Sequence, residues 1–136
     1  MIRPPKAGYY TKPEFHVLQR LSNLGLSEVR DFTIGNEHGF IKFEGRTDLV
    51  GVDLAADVTI SPREAEVYPD ETRKPPFGEK LNKRLTITLL GMAPRKSSIS
   101  INDYVKRLKS KIEPHGGEHV FYCSQSHTWE FRVYFD

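Results

Sequence analysis

Two stretches of the chain carry apolar residues at helical spacing, and much of the remainder alternates at the two-residue period of strands. The first helical stretch opens on Thr11-Lys12-Pro13-Glu14, which has the form of a capping box, with Thr11 as N-cap and Glu14 at the third position. Phe15, Leu18 and Leu21 follow, Val17 and Leu24 widen the stripe, and Gly25 stops it. The second is predicted from residues 100–103 to about 112. Tyr104, Val105, Leu108 and Ile112 form its apolar face, and Pro114 with Gly116-Gly117 ends it. Lys106, Arg107, Lys109, Ser110 and Lys111 point elsewhere, as a solvated face or, alternatively, an RNA or phosphate contact.

The alternating segments predict strands. Residues 29–34 and 39–43 flank a Gly35-Asn36 turn and read as a hairpin. Residues 57–60 and 64–68 read as short strands split by Ser61-Pro62. In 84–90, Leu85, Ile87 and Leu89 oppose Thr86, Thr88 and Leu90. Residues 119–124 and 128–135 bracket a Gln125-Ser126 turn, and Trp129, Phe131, Val133 and Phe135 share one face of the last strand. The expected class is α+β: a mostly antiparallel, sandwich-like sheet of about six strands flanked by two α-helices. Residues 9–136 are expected as the domain, residues 1–8 as a flexible N-terminal extension, and 91–99 as a second flexible joint.

Between the strands lies a segment of different character, residues 67–82. Val67-Tyr68-Pro69-Asp70 ends a strand in a turn, and Lys74-Pro75-Pro76-Phe77-Gly78-Glu79-Lys80-Leu81-Asn82 follows. Proline fixes φ and removes an N–H donor, so the segment belongs neither inside a helix nor in a central strand. It is expected as a long ordered surface loop, either a functional loop or a solvated linker.

Composition narrows the classes. A chain of 136 residues makes one domain that can bury roughly two-thirds of its unfolded surface. A formal charge of +2 is too small to argue nucleic-acid binding from charge alone. The single cysteine, Cys123, excludes an internal disulfide and suggests a reducing compartment. There is no 18-residue apolar run and no signal-peptide core, so a soluble, intracellular domain without membrane insertion is expected.

Catalytic patterns are mostly absent. Gly35-Asn36-Glu37-His38-Gly39 lacks the spacing and lysine of a phosphate loop. His115 and His119 are separated by Gly116-Gly117 and do not share a helix face, so no metal is expected. Cys123 reads as a buried structural thiol, and Asp48, Asp53 and Asp57 as turn-formers. Neither a cofactor nor a small-molecule substrate is expected.

Gly8-Tyr9-Tyr10, residues 29–35, Gly39-Phe40-Ile41, the 67–82 block and Thr128-Trp129-Glu130-Phe131-Arg132-Val133 together resemble one family. It is the C-terminal autoproteolytic domain of the GLFG-repeat nucleoporins, and the match is collinear from Gly8 to the end. The resemblance implies a sheet of about six strands with two helices, residence in the nuclear pore complex at the nuclear envelope, and anchoring of an FG-repeat nucleoporin by protein contact. It implies as partners a β-propeller nucleoporin of the cytoplasmic face and a helical scaffold nucleoporin, and for some members RNA through the segment matching Gly8-Tyr9-Tyr10.

The family's chemistry is self-cleavage at His-Phe-Ser, where the serine hydroxyl attacks the preceding carbonyl and water hydrolyses the ester. The corresponding triplet is Tyr134-Phe135-Asp136. A carboxylate nucleophile would give a labile anhydride, and a tyrosine with pKa near ~10 is a poor base at neutral pH. The expectation is therefore a non-cleaving anchor with no catalytic residues; an active autoprotease cutting after Phe135, or an RNA-binding module, is the alternative. Two surfaces are candidates. In residues 74–82, Pro75-Pro76 preorganise the backbone, Lys74 and Lys80 can meet acidic groups, and Phe77 can enter an apolar pocket. Equally, Phe77 and Leu81 can fold back and pin the loop to its own sheet. The second surface is the groove beside the last strand.

Overall fold

A computed structural model describes residues 1–133. Its centre is a six-stranded antiparallel sheet built from β1 (Tyr10–Lys12), β3 (Thr33–Asn36), β4 (Gly39–Phe43), β8 (Leu85–Leu89), β10 (Thr128–Val133) and β9 (Gly117–Cys123), in that spatial order. Two short antiparallel pairs complete it: β2 (Val29–Arg30) with β5 (Arg46–Thr47), and the hairpin of β6 (Val58–Ser61) with β7 (Glu64–Val67). The helices are α1 (Phe15–Leu18), α2 (Asn23–Leu26), α3 (Leu54–Asp57) and α4 (Ile101–Ile112).

Register explains the layering. Thr11, Ile34, Ile41, Ile87, Phe131 and His119 are cross-strand neighbours in one row, and the aliphatic members with Phe131 are buried. The residues one step along, Tyr10, Gly35, Phe40, Thr88, Glu130 and Phe121, form the adjacent row on the opposite face. Helix α4 sits on the apolar side. Ser100 caps it by accepting from the Asp103 N–H, and Tyr104, Leu108 and Ile112 are its buried residues, as the periodicity predicts. Tyr104 meets Tyr122 of β9 edge to face.

Several local expectations are corrected. The capping box at Thr11 does not form, because Thr11 is drawn into β1 opposite Ile34 and its hydroxyl donates to the Pro13 carbonyl. Ser22 instead caps α2 through the Gly25 N–H, so the predicted helix becomes two short ones, with Gly25 inside the second and Leu24 73% exposed. The β3–β4 turn is Glu37-His38, not Gly35-Asn36. Gly35 stays in the strand, where a Cβ would lie 2.6 Å from that of Phe40 and 2.7 Å from the Tyr10 hydroxyl. Asp57 is no turn-former: it is 3% exposed and paired with Arg73, whereas Asp53 caps α3 and Asp48 accepts from the Val50 N–H. Cys123 is half-exposed at the end of β9, where turn groups of Ser126 and Gln125 hold its thiol below the usual range.

The segments expected as flexible make specific contacts. Ile2 is buried, Arg3 bridges Asp53, and the Lys6 ammonium donates to the carbonyls of Ala55 and Val58. In 91–99, Met92 is buried, its N–H donates to the His127 carbonyl, and its own carbonyl accepts from Tyr104 and Tyr122.

Candidate partner-binding loop and groove

Strand β7 delivers the chain into the loop, and Tyr68 makes the first turn at φ 56°. Its ring is buried, its N–H donates to the Asp57 carbonyl, and its hydroxyl accepts from the Leu81 N–H at 3.2 Å. Burial pushes the Tyr68 phenol above its ordinary value. A short helical turn at Glu71–Arg73 is capped by Asp70, and Arg73 then reaches back to Asp57, Nε to Oδ1 at 2.7 Å. The far half of the loop closes on itself. The Gly78 N–H donates to the Asn82 carbonyl at 2.6 Å, and Asn82 Nδ2 donates to the Pro75 carbonyl at 2.7 Å.

The two roles open to residues 74–82 divide along the segment. Leu81 and Asn82 are buried and belong to the domain's interior. Lys80 turns inward: its Nζ donates to Asp48 Oδ2 at 2.7 Å and to the Val50 carbonyl at 2.9 Å. Burial pulls the Asp48 carboxyl up, but the hydrogen bonds from Lys80 and Val50 and the ammonium charge outweigh it and hold it below the usual range. Lys80 sits at φ 50°, a conformation that costs a non-glycine residue roughly 1–2 kcal/mol. Pro76, Phe77, Gly78 and Glu79 face outward, with Phe77 51% exposed, and Pro75 and Lys74 are half-buried.

The groove lies directly beneath. It encloses about 480 Å³ between β7 and the end of α4, with Leu85, Ile87, Phe131 and Val133 as floor and Val67 and Ile112 on the walls. Lys74, Leu81 and Asn82 also line it, so loop and groove form one continuous surface. That continuity is invisible in the sequence, because the lining comes from β7, β8, β10 and α4, which only the tertiary fold assembles. Nor does any sequence signal pair Asp48 with Lys80. The triplet Tyr134-Phe135-Asp136, which follows Val133, lies outside the described residues.

The remaining candidates are not brought together. Tyr9 is spent on β6, accepting from the Ile60 N–H at 2.7 Å and donating to its carbonyl at 3.1 Å. Tyr10 lies on the sheet face opposite α4 and its lysines. Among the described residues, no cluster of His, Cys, Asp and Glu could hold a metal ion, and no helix is long and apolar enough to cross a membrane.

His119 of β9 meets the tryptophan of β10: its Nδ1 accepts from Trp129 Nε1–H at 3.1 Å. Burial and then the charge of Lys109 depress its pKa below 6.5. The unfolded chain therefore takes up this proton first as the pH falls, so the stability it contributes is present above about pH 6.5 and is lost below it, toward the folded-state value. Urea midpoints are expected to fall between about pH 7.5 and 5.5, and the fall to be smaller in His119→Gln. Equal falls in both would remove His119 from the account.

A family model described as Nup98-96 autopeptidase S59 matches residues 6–135. The chain belongs to this family. Relatives of this nucleoporin domain include the nuclear pore complex protein NUP98A of Arabidopsis thaliana, 34% identical over 140 residues, with 94% of the chain and 13% of the relative covered. Nup98-Nup96 of Dictyostelium discoideum is 33% identical, with 93% and 7% covered. The chain thus spans a small part of the length of the curated relatives it matches. Among solved structures, a mutant Nup145N APD of Chaetomium thermophilum fused to Nup145C N superposes with a TM-score of 0.84 at 27% identity, covering 96% of this chain and 95% of that one. The yeast Nup82-Nup159-Nup116 nucleoporin complex contains a chain that shares the fold, with a TM-score of 0.81 at 23% identity and 95% and 97% covered. The nucleoporin family and the α+β fold expected from the residues are both shown.

Proposed function

We propose that this nucleoporin domain is a non-cleaving anchor that docks on other nucleoporins through residues 74–79, of which 76–79 face outward, continuous with the groove. The observation that carries the reading is Phe77: a large apolar side chain held half-exposed, beside Pro76, on a loop whose two flanks are tied to the domain. Such a residue is presented without the ordering cost that a mobile loop would pay on binding. An aromatic anchor entering a partner's apolar pocket is the usual form of an interface hot spot. Relatives seen with Nup82 and Nup159, and fused to Nup145C N, support nucleoporins as the partner class.

Lys74→Glu with Phe77→Ala is expected to lower recovery of identified nucleoporins from nuclear-envelope extract by about tenfold or more. Equal recovery by both proteins would remove the loop as the contact, and no recovery by the wild type would overturn the anchor reading.

The absence of cleavage rests on Asp136 standing at the nucleophile position and Tyr134 at the histidine position. A chain extended with a C-terminal tag is expected to keep the tag after folding. A fragment ending at Phe135 in the mass spectrum would overturn that part.

A further inference from the structure

We infer that Lys80 is a positioning residue for Phe77, acting through Asp48, a role that rests on the loop contact proposed for residues 74–79. Leu81 and Asn82 fix one end of the ring of residues 75–82 in the core, and Arg73, bound to Asp57, ties the chain just ahead of it. The Lys80 ammonium supplies a further tie from within the ring. Its receptor lies outside the loop, on a segment fixed to the core: Asp48 stands between Thr47 and Leu49, both buried, its carboxylate accepts from the Val50 N–H at 3.0 Å, and the Leu49 N–H donates to the Leu26 carbonyl. Together these ties set an orientation, and Phe77 is carried between them and the Asn82–Pro75 closure.

The backbone points the same way. At φ 50° the residue suited to the turn alone is glycine, and the chain places a lysine there. The strained backbone is retained together with a short charge-assisted hydrogen bond that glycine cannot make. In Lys80→Gly the relief of the positive φ offsets the lost ion pair, so overall stability stays near wild type while the tie that orients Phe77 is gone. The partner that this geometry fits presents an apolar cleft sized for one aromatic ring with a flanking proline, approached along a fixed direction.

The test separates orientation from stability. Chymotrypsin cleavage after Phe77 reports how freely that peptide leaves its fixed conformation. Lys80→Gly and Lys80→Met are expected to be cut there about fivefold faster or more, although Lys80→Gly melts at the wild-type temperature or above it. Lys80→Arg, which keeps the charge, is expected to stay near the wild-type rate. Raising salt toward about 1 M should speed cleavage of the wild type and leave Lys80→Met unchanged, since the pair is only partly shielded from solvent. Wild-type cleavage rates in both Lys80→Gly and Lys80→Met would overturn the inference.

Titration with the purified Nup82–Nup159 pair then ties orientation to binding. Loss of affinity in both Phe77→Ala and Lys80→Gly supports it. Loss in Phe77→Ala with wild-type affinity in Lys80→Gly overturns the positioning role and leaves the anchor reading intact. Wild-type affinity in Phe77→Ala overturns the docking role of the loop and with it the positioning role, and no binding by the wild type does so for this pair, whatever the cleavage rates show.

Discussion

Trp129→Ala is expected to destabilise the domain by about 4 kcal/mol, within the range for emptying a large aromatic site in a core. Trp129 is 3% exposed in β10, a central strand with β8 on one side and β9 on the other. Its ring lies 4.4 Å from that of Phe131, and its N–H is donated to His119. Truncation therefore removes apolar contact area, opens a cavity against Phe131, and leaves the His119 nitrogen without that donor. For a chain of this size each kcal/mol moves the melting temperature by roughly 3–5 °C, so thermal scans should show a fall of roughly 12–20 °C. Trp129→Phe keeps most of the volume and loses the donor, and is expected to fall by about a third of that or less. A melting temperature within a few degrees of wild type for Trp129→Ala would mean that the β10 core is not the packed centre described.

How much of the fold is legible in the sequence varies with the range of the interaction that decides each element. Strands β8 and β10 are readable because their alternation is local and their burial agrees with it, as Leu85, Ile87 and Leu89 facing Trp129, Phe131 and Val133 show. Helix α4 is readable for the same reason, since Ser100, Tyr104, Leu108 and Ile112 satisfy cap and periodicity at once. The region of residues 11–26 is not. Its capping box competes with pairing between Thr11 and Ile34, and the tertiary partner wins over the local signal. The loop is recognisable as a loop from its prolines, and the family from its residues, but the division of labour within it is not. Whether Phe77 or Leu81 points inward depends on Tyr68 and on the floor supplied by β8 and β10, and whether Lys80 reaches a partner or Asp48 depends on a residue far back in the chain.

That division predicts opposite profiles for two neighbouring truncations. Leu81→Ala removes a side chain with no exposed surface, and the expected loss is about 3 kcal/mol, as for other fully buried leucines. The fall in melting temperature should be roughly 9–15 °C. Leu81 also carries the N–H that donates to the buried Tyr68 hydroxyl, so a shift at this position loosens both ends of the loop at once. Nucleoporin capture should therefore fall along with stability, and faster chymotrypsin cleavage after Phe77 should accompany it. Phe77→Ala, at a half-exposed position, should leave the melting temperature within about 2 °C and still lose capture. Measuring both quantities on both variants decides between a loop that serves the fold and one that serves a partner. If Phe77→Ala lowers stability as much as Leu81→Ala, Phe77 is a pin and not a contact. If Leu81→Ala loses stability and keeps full capture, the docking surface does not include this loop, and the groove floored by Leu85, Ile87, Phe131 and Val133 becomes the surface to mutate.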